Sequence, residues 1–121
     1  MSAPVGPYSP IVAAGGLLIT SGQLGLVNGA DGAARLVDGG TPAQLAQALA
    51  NGLALLEGRG ATKTDIVKAS VFLIDMGEFA AVNEVWIDFF GEHRPARTAI
   101  GVAALPLGAS VEVELWASPS T

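Results

Sequence analysis

Residues 95–116 read PARTAIGVAALPLGASVEVELW, two β-compatible runs on either side of Leu105-Pro106-Leu107-Gly108. The Pro and Gly in that short stretch are typical of a turn, so we predict two strands joined as a hairpin. Arg97 is the only cation of the segment, and Glu112 and Glu114 share one face of the second strand because side chains alternate along a strand. Charges placed among apolar residues are costly without partners, which is the first indication of a site.

The composition predicts one domain over residues 1–121 that is covered by copies of itself. The chain is 50% hydrophobic and only 14% charged, whereas an ordinary soluble domain carries about 25% charged residues. So few solubilising groups on a small domain favour homo-oligomerisation.

The charge distribution argues against several classes of protein. The net charge is −5, and the six Lys and Arg residues are scattered, so the basic stripe of a nucleic-acid binder is missing. Met1-Ser2-Ala3-Pro4 has neither the charged nor the apolar part of a signal peptide, and no apolar run is long enough to span a membrane. We therefore expect a cytoplasmic protein with no nucleic-acid and no membrane partner.

The N-terminal third predicts a β-hairpin followed by a loop. Residues 11–14 and 17–21 read as short strands around Gly15-Gly16, a pair typical of two-residue hairpin turns. Gly22 then leaves the backbone open to close approach. Residues 26–40 are rich in Gly, Asn and Asp, which indicates a surface loop with an irregular extended piece.

Two amphipathic helices are predicted. The first begins at Thr41 as N-cap, with Gln44 completing a capping box, and it ends at Gly58. The second begins at Asp75 and ends at Gly91. Apolar residues recur at spacings of three and four in both, namely Leu45, Leu49, Leu53 and Leu56 in the first and Phe79, Val82, Trp86 and Phe89 in the second.

The expected fold is an α+β sandwich. Residues 66–74 form a β-branched run that reads as a central strand, which brings the count to five or six strands with two helices. Two helices cover one face of such a sheet, so the other face is expected to pack against another copy of the chain.

The residue types limit the chemistry that is available. His93 is the only histidine and cysteine is absent, so a zinc or iron site and a catalytic triad are improbable, and His93 reads as a solvated loop residue. Phosphate-binding glycine motifs are also missing. We expect no metal and no cofactor.

Five polar residues remain as candidates, namely Arg97, Glu112, Glu114, Tyr8 and Ser21. Arg97 offers a planar fork suited to a carboxylate, or it forms a structural ion pair with Glu112 or Glu114. Glu112 could activate a water, or it is a carboxylate at a sheet edge. Tyr8 and Ser21 could donate hydrogen bonds to a ligand, although such residues are common in loops. In a simple hairpin Arg97 would lie opposite a position near Ala117, so it would meet Glu112 diagonally or across a subunit boundary.

Taken in order, the motifs resemble the YjgF/Rid family, the enamine/imine deaminases typified by RidA. The resemblance runs from Gly6 to about Ala117. It is carried by GPYS at residues 6–9, SGQ at 21–23, FLIDM at 72–76, FAAVN at 79–83, FFGEH at 89–93, PART at 95–98, LP at 105–106 and VEVE at 111–114.

This resemblance implies a chorismate-mutase-like fold, a homotrimer with clefts between subunits, and hydrolysis of 2-imino acids or their enamine tautomers without a cofactor. Substrates such as 2-iminobutanoate, 2-iminopropanoate and 2-aminoacrylate would yield 2-oxo acids and ammonia. The family's arginine falls on Arg97, its water-handling glutamate on Glu112, its N-terminal tyrosine on Tyr8, and its serine and glycine on Ser21 and Gly22.

Some positions depart from the family pattern and leave the substrate open. Ala99 stands where a cysteine is common, Gly101 and Ala104 replace a Glu and an Arg, and Pro10 replaces a Gln. Two other functions therefore stay open beside the deaminase: a non-enzymatic trimeric binder of small carboxylates, and a deaminase or hydrolase acting on another enamine in a specialised catabolic pathway.

Overall fold

The computed structural model describes residues 6–120, so the expectation about Met1 to Pro4 lies outside it. Seven strands and two helices follow one another along the chain: β1 (Ile11–Ala14), β2 (Leu17–Thr20), β3 (Leu26–Asn28), β4 (Ala34–Leu36), α1 (Gly40–Glu57), β5 (Ile66–Leu73), α2 (Phe79–Phe90), β6 (Ala96–Gly101) and β7 (Val111–Ala117). The α+β class expected from the sequence is confirmed.

Five strands form one mixed sheet in the order β1-β2-β7-β5-β6, and β3 pairs with β4 in a separate ribbon. The pairs β1–β2, β2–β7 and β5–β7 are antiparallel, whereas β5 and β6 are parallel. The β1–β2 hairpin turns at Gly15 and Gly16, which have φ angles of 56° and 83°. This left-handed pair matches the turn predicted from the sequence.

The hairpin predicted for residues 95–116 is wrong, because β5 lies between β6 and β7. A parallel pair such as β5 and β6 needs a crossover, and α2 supplies it. Residues 102–110 then pass over the end of β5, where Leu73 accepts from the amide of Val102 and the amide of Ile74 donates to Ser110. The central strand thus satisfies hydrogen bonds along both of its edges, which a β6–β7 hairpin would have left incomplete.

The core lies between one face of the sheet and the two helices. Along β7 the residues at odd positions are buried and the even ones are half-buried, and β5 alternates in the same sense from Lys68 onward. The fully buried side chains come from both layers and include Leu45, Leu49, Leu56, Ile66, Val71, Leu73, Val82, Val111, Val113 and Leu115. This packing confirms that both helices cover the same face.

The start of α1 differs from the predicted capping box. Gly39 is the N-cap, with a φ of 115°. The hydroxyls of Thr41 and Ser110 are 2.7 Å apart, and Gln44 Oε1 accepts from the amide of Ser110 at 2.9 Å. Both side chains are therefore used to hold the start of β7 rather than the start of their own helix.

The opposite face of the sheet has no helix over it. It carries half-buried side chains of mixed character, among them Lys68, whose ammonium donates to the Thr98 hydroxyl at 2.7 Å. Exposed apolar residues on this face include Val12 and Ile100, at 46% each. Covering by a further copy of the chain stays a prediction. Among residues 6–120, no helix is long and apolar enough to cross a membrane.

Candidate active site

Glu112 projects from β7 on the helix-free face. It follows the buried Val111 and precedes the buried Val113, so strand alternation turns its carboxylate away from the core, as the sequence predicted. Burial, and secondarily the charge of Glu114 on the same face, raise the pKa of Glu112 above its ordinary value. A half-buried carboxylate with a raised pKa is suited to take a proton from a water molecule.

Gly22 lies directly against this carboxylate. A Cβ added at position 22 would stand 2.7 Å from Glu112 Cδ and closer still to Oε2. The segment is fixed by a two-way bridge from Gln23: its amide donates to the Val113 carbonyl at 2.6 Å, and its carbonyl accepts from the Val113 amide at 3.0 Å. The backbone thus borders Glu112 because position 22 has no side chain.

Ser21 ties the segment that carries Tyr8 to the same end of the sheet. Its hydroxyl donates to the Ser9 carbonyl at 2.6 Å and its amide donates to the Pro10 carbonyl at 2.8 Å. In this arrangement the hydroxyl proton of Ser21 is used within the chain and its oxygen is left as an acceptor; that Ser21 binds a ligand stays a prediction. Tyr8 is 45% exposed at the surface of this segment.

Arg97 lies on the other face of the sheet. Its register partner in β5 is Ala69, which in turn faces Leu115 in β7, and both are fully buried on the helix side. The guanidinium carbon of Arg97 lies 5.3 Å from the ring centre of Phe79 and 5.1 Å from that of Trp86. Burial lowers the pKa of Arg97, but an arginine stays charged in a protein, and the two rings favour that charge.

Arg97 and Glu112 do not meet within one chain. Arg97 on β6 pairs with Ala69 of β5, and Glu112 on β7 pairs with Phe72 of the same strand. The two residues are therefore separated by two strand spacings across the sheet and by three residues along it. These offsets are each about 10 Å, and the two side chains point to opposite faces. The ion pair considered from the sequence is therefore wrong: across residues 6–120, no acidic side chain pairs with Arg97. A diagonal contact within one chain is also excluded.

A cavity of about 310 Å³ contains the Arg97 side chain. Its lining combines two arginines with an amide and apolar groups, and consists of Asn83, Trp86, Ile87, Arg94, Pro95 and Arg97. Sequence reasoning assigned Trp86 and Phe79 to the core and missed Asn83 and Arg94. Two features of the sequence could have indicated these residues. Asn83 is an amide within the aromatic stripe of α2, and Arg94 is a second arginine three residues before Arg97.

His93 is not the solvated loop residue expected from the sequence. Its Nε2 lies 2.7 Å from the Ile66 carbonyl, and its ring packs against Phe90 with centroids 5.9 Å apart. It therefore ties the exit of α2 to the start of β5. Within the described part of the chain, no group of three or more acidic or histidine residues is placed to hold a metal ion.

Each chain thus presents two separate candidate parts of a site. One is the half-buried carboxylate of Glu112 beside the backbone of Gly22, and the other is the guanidinium of Arg97 next to the rings of Phe79 and Trp86. A small substrate carrying a carboxylate next to a reactive carbon requires both, with the cation holding the carboxylate and the base acting on water.

Comparison with known proteins identifies the family. A family model described as endoribonuclease L-PSP matches residues 1–118. The 2-iminobutanoate/2-iminopropanoate deaminase of Capra hircus is 44% identical over 112 residues, which cover 93% of this chain and 80% of that protein.

Solved structures agree in fold. RidA from an Antarctic Psychrobacter species superposes with a TM-score of 0.87 at 40% identity, covering 96% of this chain and 91% of that one. E. coli TdcF with bound serine gives a TM-score of 0.86 at 33% identity, covering 97% and 91% of the two chains. The resemblance to the YjgF/Rid family stated from the sequence is confirmed.

Proposed function

Since the chain belongs to the endoribonuclease L-PSP family, which includes the RidA proteins, we propose that it hydrolyses reactive 2-imino acids and their enamine tautomers to 2-oxo acids and ammonia. The relatives named 2-iminobutanoate/2-iminopropanoate deaminase support this substrate class.

The reaction needs a positioned water and a held carboxylate. Water oxygen bonds to the imine carbon while the C=N electrons move to nitrogen, which gives a tetrahedral carbinolamine. The C–N bond then breaks, ammonia leaves with the transferred protons, and the carbon becomes the carbonyl of a 2-oxo acid. Since the oxidation state of carbon is unchanged, the atoms and electrons balance without a redox partner.

Each candidate residue has a role in this scheme. Arg97 holds the substrate carboxylate through its planar fork, and Glu112 takes the proton of the attacking water. Gly22, because it has no side chain, leaves room for the Glu112 carboxylate to lie against the backbone. Ser21 accepts a hydrogen bond from the substrate nitrogen, and Tyr8 borders the proposed site on the side of Ser21.

The observation that carries the proposal is the pair of separated half-sites. Arg97 is a charged group without a carboxylate partner in residues 6–120, and Glu112 is a half-buried carboxylate without a cation partner there. Because they occupy opposite faces, we place each complete site between two copies, in a homotrimer with three clefts. The helix-free face, which exposes Val12 and Ile100, would be covered in this assembly.

The direct test generates an imine with an amino-acid oxidase and follows its loss with and without the protein. Wild type is expected to accelerate that loss, whereas Arg97→Ala should accelerate it far less. An unchanged rate with wild type, or full acceleration by Arg97→Ala, contradicts the proposal.

A second candidate is a non-enzymatic binder of small carboxylates. The TdcF structure with bound serine supports this alternative, since it shows a family member holding a small amino acid. Binding of 2-oxobutanoate by the wild-type protein without any imine turnover would favour it. A substrate panel of other enamines would separate the third possibility, a hydrolase of a specialised catabolic pathway.

A further inference from the structure

We propose that Arg94 forms a second anion subsite in the Arg97 cavity and gives the enzyme a preference for 2-imino acids with a second carboxylate at the far end of the side chain. This inference rests on the proposed deaminase function and specifies its substrate class. The structural basis is that Arg94 and Arg97 line the same cavity of about 310 Å³, a volume at the lower end of the range for small-molecule sites.

Arg94 is held in place from one side only. Its Nη1 donates to the carbonyls of Gly91 and His93, and the His93 contact measures 3.1 Å. Gly91 ends α2 with a φ of 64°, so these carbonyls lie in the turn that follows the helix. The backbone thereby orients the guanidinium while Nε and Nη2 stay available to a ligand.

The charge of Arg94 is also left for a ligand. In the described chain the only ion pair joins Arg35 to Asp38, and neither Arg94 nor Arg97 has an acidic partner. The cavity lining contains two cations and no acid. A dicarboxylate offers one carboxylate to each of them.

The remaining lining suits the part of the ligand between two carboxylates. Trp86 and Ile87 provide apolar surface for a short carbon chain, and Asn83 adds an amide that can donate and accept. Since Arg97 is the proposed clamp for the carboxylate next to the imine, Arg94 is left for the distal one.

The test compares a monocarboxylic imine, from 2-aminobutanoate, with a dicarboxylic imine, from glutamate, each generated by an oxidase. The measured quantity is the ratio of kcat/KM for the dicarboxylic over the monocarboxylic imine. Arg94→Gln keeps an N–H donor for the Gly91 carbonyl but removes the charge, and Arg94→Lys keeps the charge. We expect Arg94→Gln to lower the ratio about 10- to 100-fold, as for a lost charge-assisted hydrogen bond, and Arg94→Lys to restore part of it.

The exposed Arg35→Gln is the matched control and should leave the ratio unchanged. Calorimetric binding of 2-oxoglutarate and 2-oxobutanoate gives a readout that is independent of turnover, and only the affinity for 2-oxoglutarate should fall in Arg94→Gln. Equal losses for both ligands, or a ratio like that of Arg35→Gln, overturn the inference. Failure to accelerate either imine would instead refute the deaminase function, and the binding experiment would still decide the subsite.

Discussion

Gly22 borders the carboxylate of Glu112 so closely that no side chain fits between them. A Cβ at position 22 would lie 2.7 Å from Glu112 Cδ, far inside van der Waals contact. The Gln23–Val113 bridge holds the segment there. The open backbone and the carboxylate therefore form one unit, which we assign to the water-activating half of the site.

Gly22→Ala should displace the Glu112 side chain and lower kcat about 100-fold, because misplacing a catalytic group by about 1 Å has an effect of that size. Steady-state imine hydrolysis measures this effect. Since Gly22 has no left-handed φ, any loss comes from the displaced carboxylate rather than from backbone strain.

The control for this prediction is Gly58→Ala at the end of α1, where a new Cβ would meet only ordinary contacts, at 3.5 Å. Its helical φ of −62° accepts alanine, so activity should stay unchanged. Equal activity of Gly22→Ala and Gly58→Ala would contradict the assigned role of Gly22.

Glu112→Gln should remove the proton acceptor and lower kcat about 10²- to 10⁴-fold. For wild type, kcat should rise with pH through a pKa above 4.5, because burial and the charge of Glu114 raise the pKa of Glu112 from that value. A pH profile of imine hydrolysis, corrected for the uncatalysed reaction, measures both. If Glu112→Gln keeps the wild-type rate, another group activates the water.

Glu112 should also make the free energy of unfolding decrease as the pH rises. The native chain holds the Glu112 proton to a higher pH than the unfolded chain does, since the folded pKa is raised above 4.5. Its favourable contribution is therefore complete below about 4.5 and is lost as the pH rises through the folded pKa.

Urea unfolding of wild type and Glu112→Gln at fixed protein concentration, from pH 4 to pH 8, measures this contribution. The free energy of unfolding of wild type should fall relative to that of Glu112→Gln as the pH rises. A difference that grows in the opposite direction would mean that the Glu112 pKa is lowered in the folded protein.

Arg97→Met should raise KM for a 2-imino acid about 10- to 100-fold, as expected for the loss of a charge-assisted hydrogen bond pair. Arg97→Lys should recover only part of this, because an ammonium keeps the charge but lacks the planar fork. Steady-state kinetics with the 2-aminobutanoate-derived imine give both values. If lysine restores KM fully, a point charge is sufficient and the bidentate clamp is wrong.

The fold was largely readable from the sequence because its helices have strong periodicity and glycine ends. Gly15-Gly16 and the stop at Gly91 both follow from local backbone chemistry. The pairing of β6 and β7 was misread since strand order depends on contacts that are distant in sequence, and the parallel β5–β6 pair has no local signature.

The site was readable in its parts but not in its arrangement. The alternation around Glu112 places its side chain correctly from sequence alone. The position of Arg97 depends on its register with Ala69, which the sequence does not encode locally. His93 shows the same limit, because its bond to the Ile66 carbonyl joins residues 27 positions apart.

The central claim is that Arg97 of one copy and Glu112 of another complete each site. Light scattering should first give a particle mass three times the 12.2 kDa of the chain. Arg97→Met and Glu112→Gln, each strongly impaired alone at imine concentrations well below KM, are then unfolded together in equal amounts, refolded and assayed for imine hydrolysis at such a concentration. Random assembly into trimers leaves about a quarter of the clefts with both groups intact. We predict about a quarter of the wild-type activity, and a mixture no more active than its two components would contradict the shared site.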